Sequence, residues 1–215
     1  MNERIVYTPI LKGKINDLKA LGKMPRRLVA LTLPIVELVA PTDKTKFDGA
    51  ILRYADQIRK HSPLHAIAVD LHAIEPDRKI GDGTPAFEAT FAHLRNGGVR
   101  FIPVHGFDRE PELWDRVAPI ARFDGRGIAF RLGVKDLESP DDTMGEVVVF
   151  WRTADIPASS ANLIVDLRFL GALTSAEQTR MRDRLQKLID AALTAHHFPL
   201  FSGVGSTMPN DGRGV

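Results

Sequence analysis

Apolar and polar positions follow one rhythm along this chain. Seven times, a short run of β-branched or otherwise apolar residues ends in a polar or small residue, and a helical stretch comes next. The runs are 5–12 (IVYTPILK), 28–37 (LVALTLPIVE), 66–70 (AIAVD), 99–105 (VRFIPVH), 127–131 (GIAFR), 162–166 (NLIVD) and 198–202 (FPLFS). A strand–helix repeat of this kind predicts a parallel sheet covered by helices. The run AIAVD is almost wholly apolar, as suits a strand buried on both faces. Successive runs lie roughly 25–36 residues apart, the length of one βα unit of a barrel.

The stretches between the runs carry helical signals. Phe47, Ile51, Tyr54, Ala55 and Ile58 share one face of a helix over 47–61. Asn16 is a candidate cap for a short helix over 17–21, and Thr84 for the helix that places Phe87, Phe91 and Leu94 inward. Pro111 opens a helix over 112–121 carrying Leu113, Trp114 and Val117. A longer helix over 176–196, capped by Thr174 or Ser175, aligns Met181, Leu185, Leu188, Ile189 and Leu193. Residues 146–151 (EVVVFW) have strand propensity but occupy a crossover position, and the repeat predicts a helix there. The expectation is an α/β, TIM-barrel-like (β/α) repeat of about seven parallel strands. It forms a single domain over 1–215, with an irregular glycine-rich tail over 203–215. An eight-stranded barrel needs one more βα unit, so the barrel is expected to be incomplete or open. Its free edges invite a homodimer or a protein partner.

Composition narrows the function classes. The chain has 215 residues, 44% of them hydrophobic, enough for one sizeable core. It has no cysteine, which excludes disulfides, thiolate metal sites and cysteine nucleophiles. The 29 Lys and Arg are interspersed with 27 Asp and Glu, which argues against a nucleic-acid partner. No run reaches the ~18 apolar residues of a membrane span. The opening MNERIVYTPILKGK lacks the apolar core of a signal peptide, so a cytoplasmic protein with no membrane association is expected.

The candidate chemistry lies at the strand ends: Lys12, Glu37, Asp70, His105, Arg131, Asp166 and Ser202. In a parallel barrel such residues converge on one mouth. Lys12, Glu37, Asp70 and Asp166 are the candidate catalytic groups. His105, Arg131 and Ser202 are the candidate ligand-binding groups. Lys12 with Arg131 can hold a phosphate or carboxylate, and a buried lysine can serve in Schiff-base or proton-transfer chemistry. Glu37, Asp70, His105 and Asp166 suit a divalent cation such as Mg²⁺ or Mn²⁺, with no identity fixed. His72 shares a face with Asp70 if the third strand continues. Strands 2 and 6 lie opposite one another in an eight-fold barrel, which places Glu37 and Asp166 too far apart for a glycosidase-type pair.

The same charges can equally close into a ring of salt bridges that is purely structural. Two classes therefore stay open: an enzyme acting on a small anionic ligand, and a non-enzymatic binding scaffold. Gly203-Val204-Gly205 opens no helix and makes no dinucleotide fingerprint. His196-His197 reads as a helix C-terminal cap.

Residues 7–21 (YTPILKGKINDLKAL) and 31–41 (LTLPIVELVAP) resemble the opening of the phage-type Beta protein family, with its Y-x-P-I-L-K-x-K motif and P-I/L-x-E strand. AVDL at 68–71, FIPV at 101–104, LIVDL at 163–167 and FPLFSG at 198–203 fit the same plan. The resemblance covers almost the whole chain. It implies a protein of a phage, prophage or bacterial genome whose relatives extend well beyond position 202. It assigns no reaction.

Overall fold

The computed structural model describes residues 7–38, 41, 46–61, 66–157, 160–169, 173–195 and 200–206; residues 168–169, 194–195 and 200–206 are placed by backbone alone. The strands are β1 (Ile10–Leu11), β2 (Ile35–Glu37), β3 (Ala66–Asp70), β4 (Arg100–His105), β5 (Ile128–Leu132), β6 (Ala161–Phe169) and β7 (Leu200–Ser206). The helices are α1 (Ile15–Gly22), α2 (Arg26–Val29), α3 (Phe47–His61), α4 (Ala86–Asn96), α5 (Glu112–Asp124), α6 (Pro140–Thr153) and α7 (Ser175–Asp190).

The pairings between these strands are all parallel, and the strands follow one another in chain order from β1 to β7. β1 to β6 form a curled half-barrel. The expected count of about seven thus becomes a half-barrel of six, with β7 known from its backbone pairing to β6. Among the described residues, no ladder joins β1 to β7. β7 runs through Gly203 to Ser206, four residues into the segment expected to be irregular. His196 and His197 lie outside the described residues.

The first two runs yield short strands because Pro9 and Pro34 donate nothing to a ladder. Their carbonyls still accept, from Ile35 N–H and Ala68 N–H, both at 2.8 Å. The front of the second run is not extended at all: Leu28 and Val29 close helix α2.

Alternation along the strands sorts side chains onto two faces. Val36, Val69, Phe101, Phe130, Leu163 and Val165 pack outward into a large core beneath the helices. Ile35, Ala68, Ile102, Val104, Ala129 and Ile164 form a smaller inner cluster with Leu33. The stripe Phe47, Ile51, Ala55 and Ile58 of α3 is buried as its spacing predicts, as are Phe87, Phe91 and Leu94 of α4. The EVVVFW run is helical, within α6. Val147 and Val148 are buried while Val149 is 61% exposed, a helical rather than an alternating pattern.

Two capping expectations fail. α1 begins at Ile15 after Lys14, with Asn16 inside it, and α4 follows Pro85; neither start carries a side-chain cap. Thr174 does cap α7, in a reciprocal pair with Glu177. Leu193 falls outside the buried stripe of that helix, where a π turn over Ala191–Ala195 directs Ala192 inward instead.

Candidate functional site

Lys12, Glu37, Asp70, Arg131 and Asp166 fall on the inner face by parity, beyond the apolar cluster. Glu37 and Asp70 are register partners. Val104 aligns with Ala129 and Arg131 with Ile164, so Arg131 and Asp166 each sit two residues farther along their strands than the direct register gives. That climb is the stagger of tilted strands wound about an axis, and it returns the five residues to one level.

Arg131 is the hub. Its Nη1 donates to Glu37 Oε1 at 2.5 Å and to Asp70 Oδ2 at 2.8 Å. Its Nη2 donates to Asp166 Oδ2 at 2.5 Å, with Nε at 3.2 Å from the same oxygen. The Lys12 ammonium donates to Glu37 Oε2. Gly13 lets the chain turn away immediately after that lysine. Its φ is +65°, and a Cβ there would stand 3.0 Å from the Glu37 carbonyl and 2.8 Å from Tyr54 Cε1. Glu37 and Asp166 were expected to be far apart; one guanidinium spans them.

Arg109, in the β4–α5 loop, completes the cluster and was not singled out from sequence. Its Nη2 donates to Asp70 Oδ2 and its Nη1 lies beside Asp70 Oδ1, both at 2.9 Å. A loop arginine four residues past a strand end carries no signal of its own. The available clue was that buried Asp70 and Glu37 needed more positive charge than Lys12 and Arg131 supplied to Asp166 as well.

Asp70, Glu37 and Asp166 are 0%, 2% and 7% exposed. Burial opposes ionisation of Glu37, but hydrogen bonds and charge from Lys12 and Arg131 outweigh it and hold the carboxyl below its ordinary range. Asp70 is held down against burial in the same way by Arg109 and Arg131. Burial works against the charge on Arg131, yet its bonds to Asp166, Asp70 and Glu37 fix it as a cation. Glu37 and Asp70 are therefore anions at neutral pH, suited to orienting a cation or accepting a proton rather than donating one.

His105 does not join them. Parity turns it outward, where its ring lies 5.1 Å from Trp114 and 5.3 Å from Phe150, and its buried Nδ1 has no hydrogen-bond partner among the described residues. Burial and the Arg109 charge push its pKa down to about 4, so it is neutral. Ser202 aligns by backbone register with Ile164, and its side chain lies outside the described residues.

His72 does reach the rim, although β3 ends at Asp70. Its amide donates to Asp70 Oδ1 at 3.0 Å, an Asx-type turn that brings the imidazole back, with Nδ1 4.0 Å from the same oxygen. One ligand atom each of Glu37, Asp70 and His72 lie within 4.8 Å of one another, a spacing that can hold a metal ion.

No curated protein matches the sequence. Among the described residues, no helix is long and apolar enough to cross a membrane. The sequence model of the Beta protein family matches residues 7–214, and the chain belongs to that family.

Proposed function

We propose that the inner rim binds a small anionic ligand, entering past Lys12 and His72. The carrying observation is how exposure is divided within the cluster. Lys12 is 59% and His72 46% exposed, whereas the three carboxylates are buried behind them, already bonded to guanidinium groups. The groups an incoming molecule meets first are donors. Lys12 supplies charge, Arg131 a fixed positive background, and Glu37, Asp70 and Asp166 hold these cations in place. The sequential parallel order and the register stagger support a TIM-barrel-like architecture, in which strand-end rims are the usual ligand site.

A second reading rests on the spacing of Glu37, Asp70 and His72: a divalent cation such as Mg²⁺ or Mn²⁺ held between them. It competes with Arg131, Arg109 and Lys12 for the same oxygens, and for that reason it ranks second.

Thermal-shift titrations with inorganic phosphate and, separately, with MnCl₂ test both. The anion reading expects phosphate to raise the Tm of the wild type and to have no effect on Lys12→Met. The cation reading expects a response to Mn²⁺ that His72→Ala removes. If neither probe acts on the wild type, the ring is structural, and the chain is then a non-enzymatic scaffold whose partners, phage- or defence-related among them, lie elsewhere on its surface.

A further inference from the structure

Arg109 reaches the rim from the side. It is carried by the loop after β4, is only 7% exposed, and places both ends of its guanidinium on Asp70. A third bond runs from Nη1 to the Val104 carbonyl at 3.3 Å, while the buried Nε has no hydrogen-bond acceptor among the described residues and lies 3.6 Å from Asp108 Oδ1. Asp70 Oδ1, the atom facing Nη1, is also the acceptor of the His72 amide. The loop's course depends on Gly106. A Cβ there would come within 2.9 Å of the Arg131 carbonyl and 3.1 Å of Arg109 Nε. The inner position next along β4 is thus left empty of side chain, and the arginine lies against it.

We propose that Arg109 is a positioning residue: by gripping Asp70 at both oxygens it fixes the Asp70–His72 turn and holds the His72 imidazole at the mouth, close to Glu37. Without Arg109, Asp70 keeps the His72 amide at Oδ1 and Arg131 at Oδ2, so the carboxylate and its turn can swing together about the single bond to Arg131. The bidentate grip removes that freedom, and the Oδ1–amide bond passes the constraint to His72. The functional meaning of this arrangement rests on the rim's being an anion site, but the placement of His72 does not.

The test uses the imidazole resonances of labelled full-length protein in wild type, Arg109→Gln and Arg109→Lys. In both variants the His72 signals are expected to shift and broaden while those of His93, on α4, stay in place. Near-UV circular dichroism reports whether the fold persists. Inorganic phosphate is expected to bind Arg109→Gln about tenfold more weakly than wild type, the scale of one charge-assisted hydrogen bond lost from the site. His72 signals that coincide with the wild type in a folded variant overturn the proposal. If Arg109→Gln does not fold, Arg109→Lys decides, because it keeps the charge against Asp70 and loses only the fork. A wild type that fails to bind phosphate overturns the anion reading instead, and the His72 signals still judge the positioning role.

Discussion

Glu37 on β2 and Asp166 on β6 grip opposite arms of one guanidinium, that of Arg131 on β5. Three strands lie between the two carboxylates in sheet order, so this contact ties the half-barrel across its concave side rather than along a hydrogen-bonded ladder.

Removing the hub should therefore be severe. Arg131→Met leaves Glu37 and Asp166 buried without their main counter-charge, and Asp70 with Arg109 alone. Urea denaturation is expected to show a loss of about 3–5 kcal/mol, the scale of a broken buried ion pair. A loss below 1 kcal/mol would mean that water reaches these carboxylates.

Lys12→Met should behave oppositely. The Lys12 side chain is 59% exposed and Arg131 still holds Glu37 when the lysine is removed, so the pair falls near the exposed scale of about 0–1 kcal/mol. Stability is expected to change by no more than that, with the phosphate response lost. Denaturation and phosphate titration on the same sample check the split.

Acid should weaken the fold in two stages. The folded pKa of His105 is about 4 against an ordinary 6.5, so between those values the unfolded chain takes up a proton that the fold refuses. Stability is then full above 6.5 and declines as the pH falls toward 4. Glu37 and Asp70 act lower. Their folded pKa values are depressed, so their contribution is present above the ordinary 4.5 and 3.8 and disappears as the pH falls through the folded values. His105→Phe should flatten the first stage and keep the second, as followed by urea midpoints from pH 7 to pH 3.

Gly13→Ala forces a left-handed backbone on a residue with a Cβ, at about 1–2 kcal/mol, and crowds the Glu37 carbonyl. The expected result is a lower urea midpoint together with weaker phosphate binding, because the turn that aims Lys12 is displaced. Unchanged phosphate affinity would separate the turn from the site.

Much of this was legible in the residues. AIAVD ends in Asp70 as a strand, and the runs ending at Glu37, Arg131 and Asp166 put ionisable groups after apolar ones, which only a common wet or paired rim can accommodate. His105 was misplaced because its run ends in the same way and only the parity count separates it. Phe101 and His105 share one face of β4, and Ile102 and Val104 share the other. Arg109 was invisible for a different reason: its role is set by a loop path that Gly106 permits, and no periodicity encodes a loop path. The reach between Glu37 and Asp166 was underestimated because an ideal eight-fold circle ignores a long arginine that bridges from a third strand.

The two-faced alternation of β5 has a consequence for folding fidelity. If that strand slipped by one residue, Phe130 would face the three carboxylates and Arg131 would enter the aromatic layer with Trp114 and Phe107. Neither environment tolerates the exchange: one leaves anions uncompensated, the other strands a charge in hydrocarbon. A purely apolar barrel lining would accept such a slip at modest cost. The ring of charge thus works as a checksum on strand alignment, and it does so whether or not a ligand ever occupies the mouth.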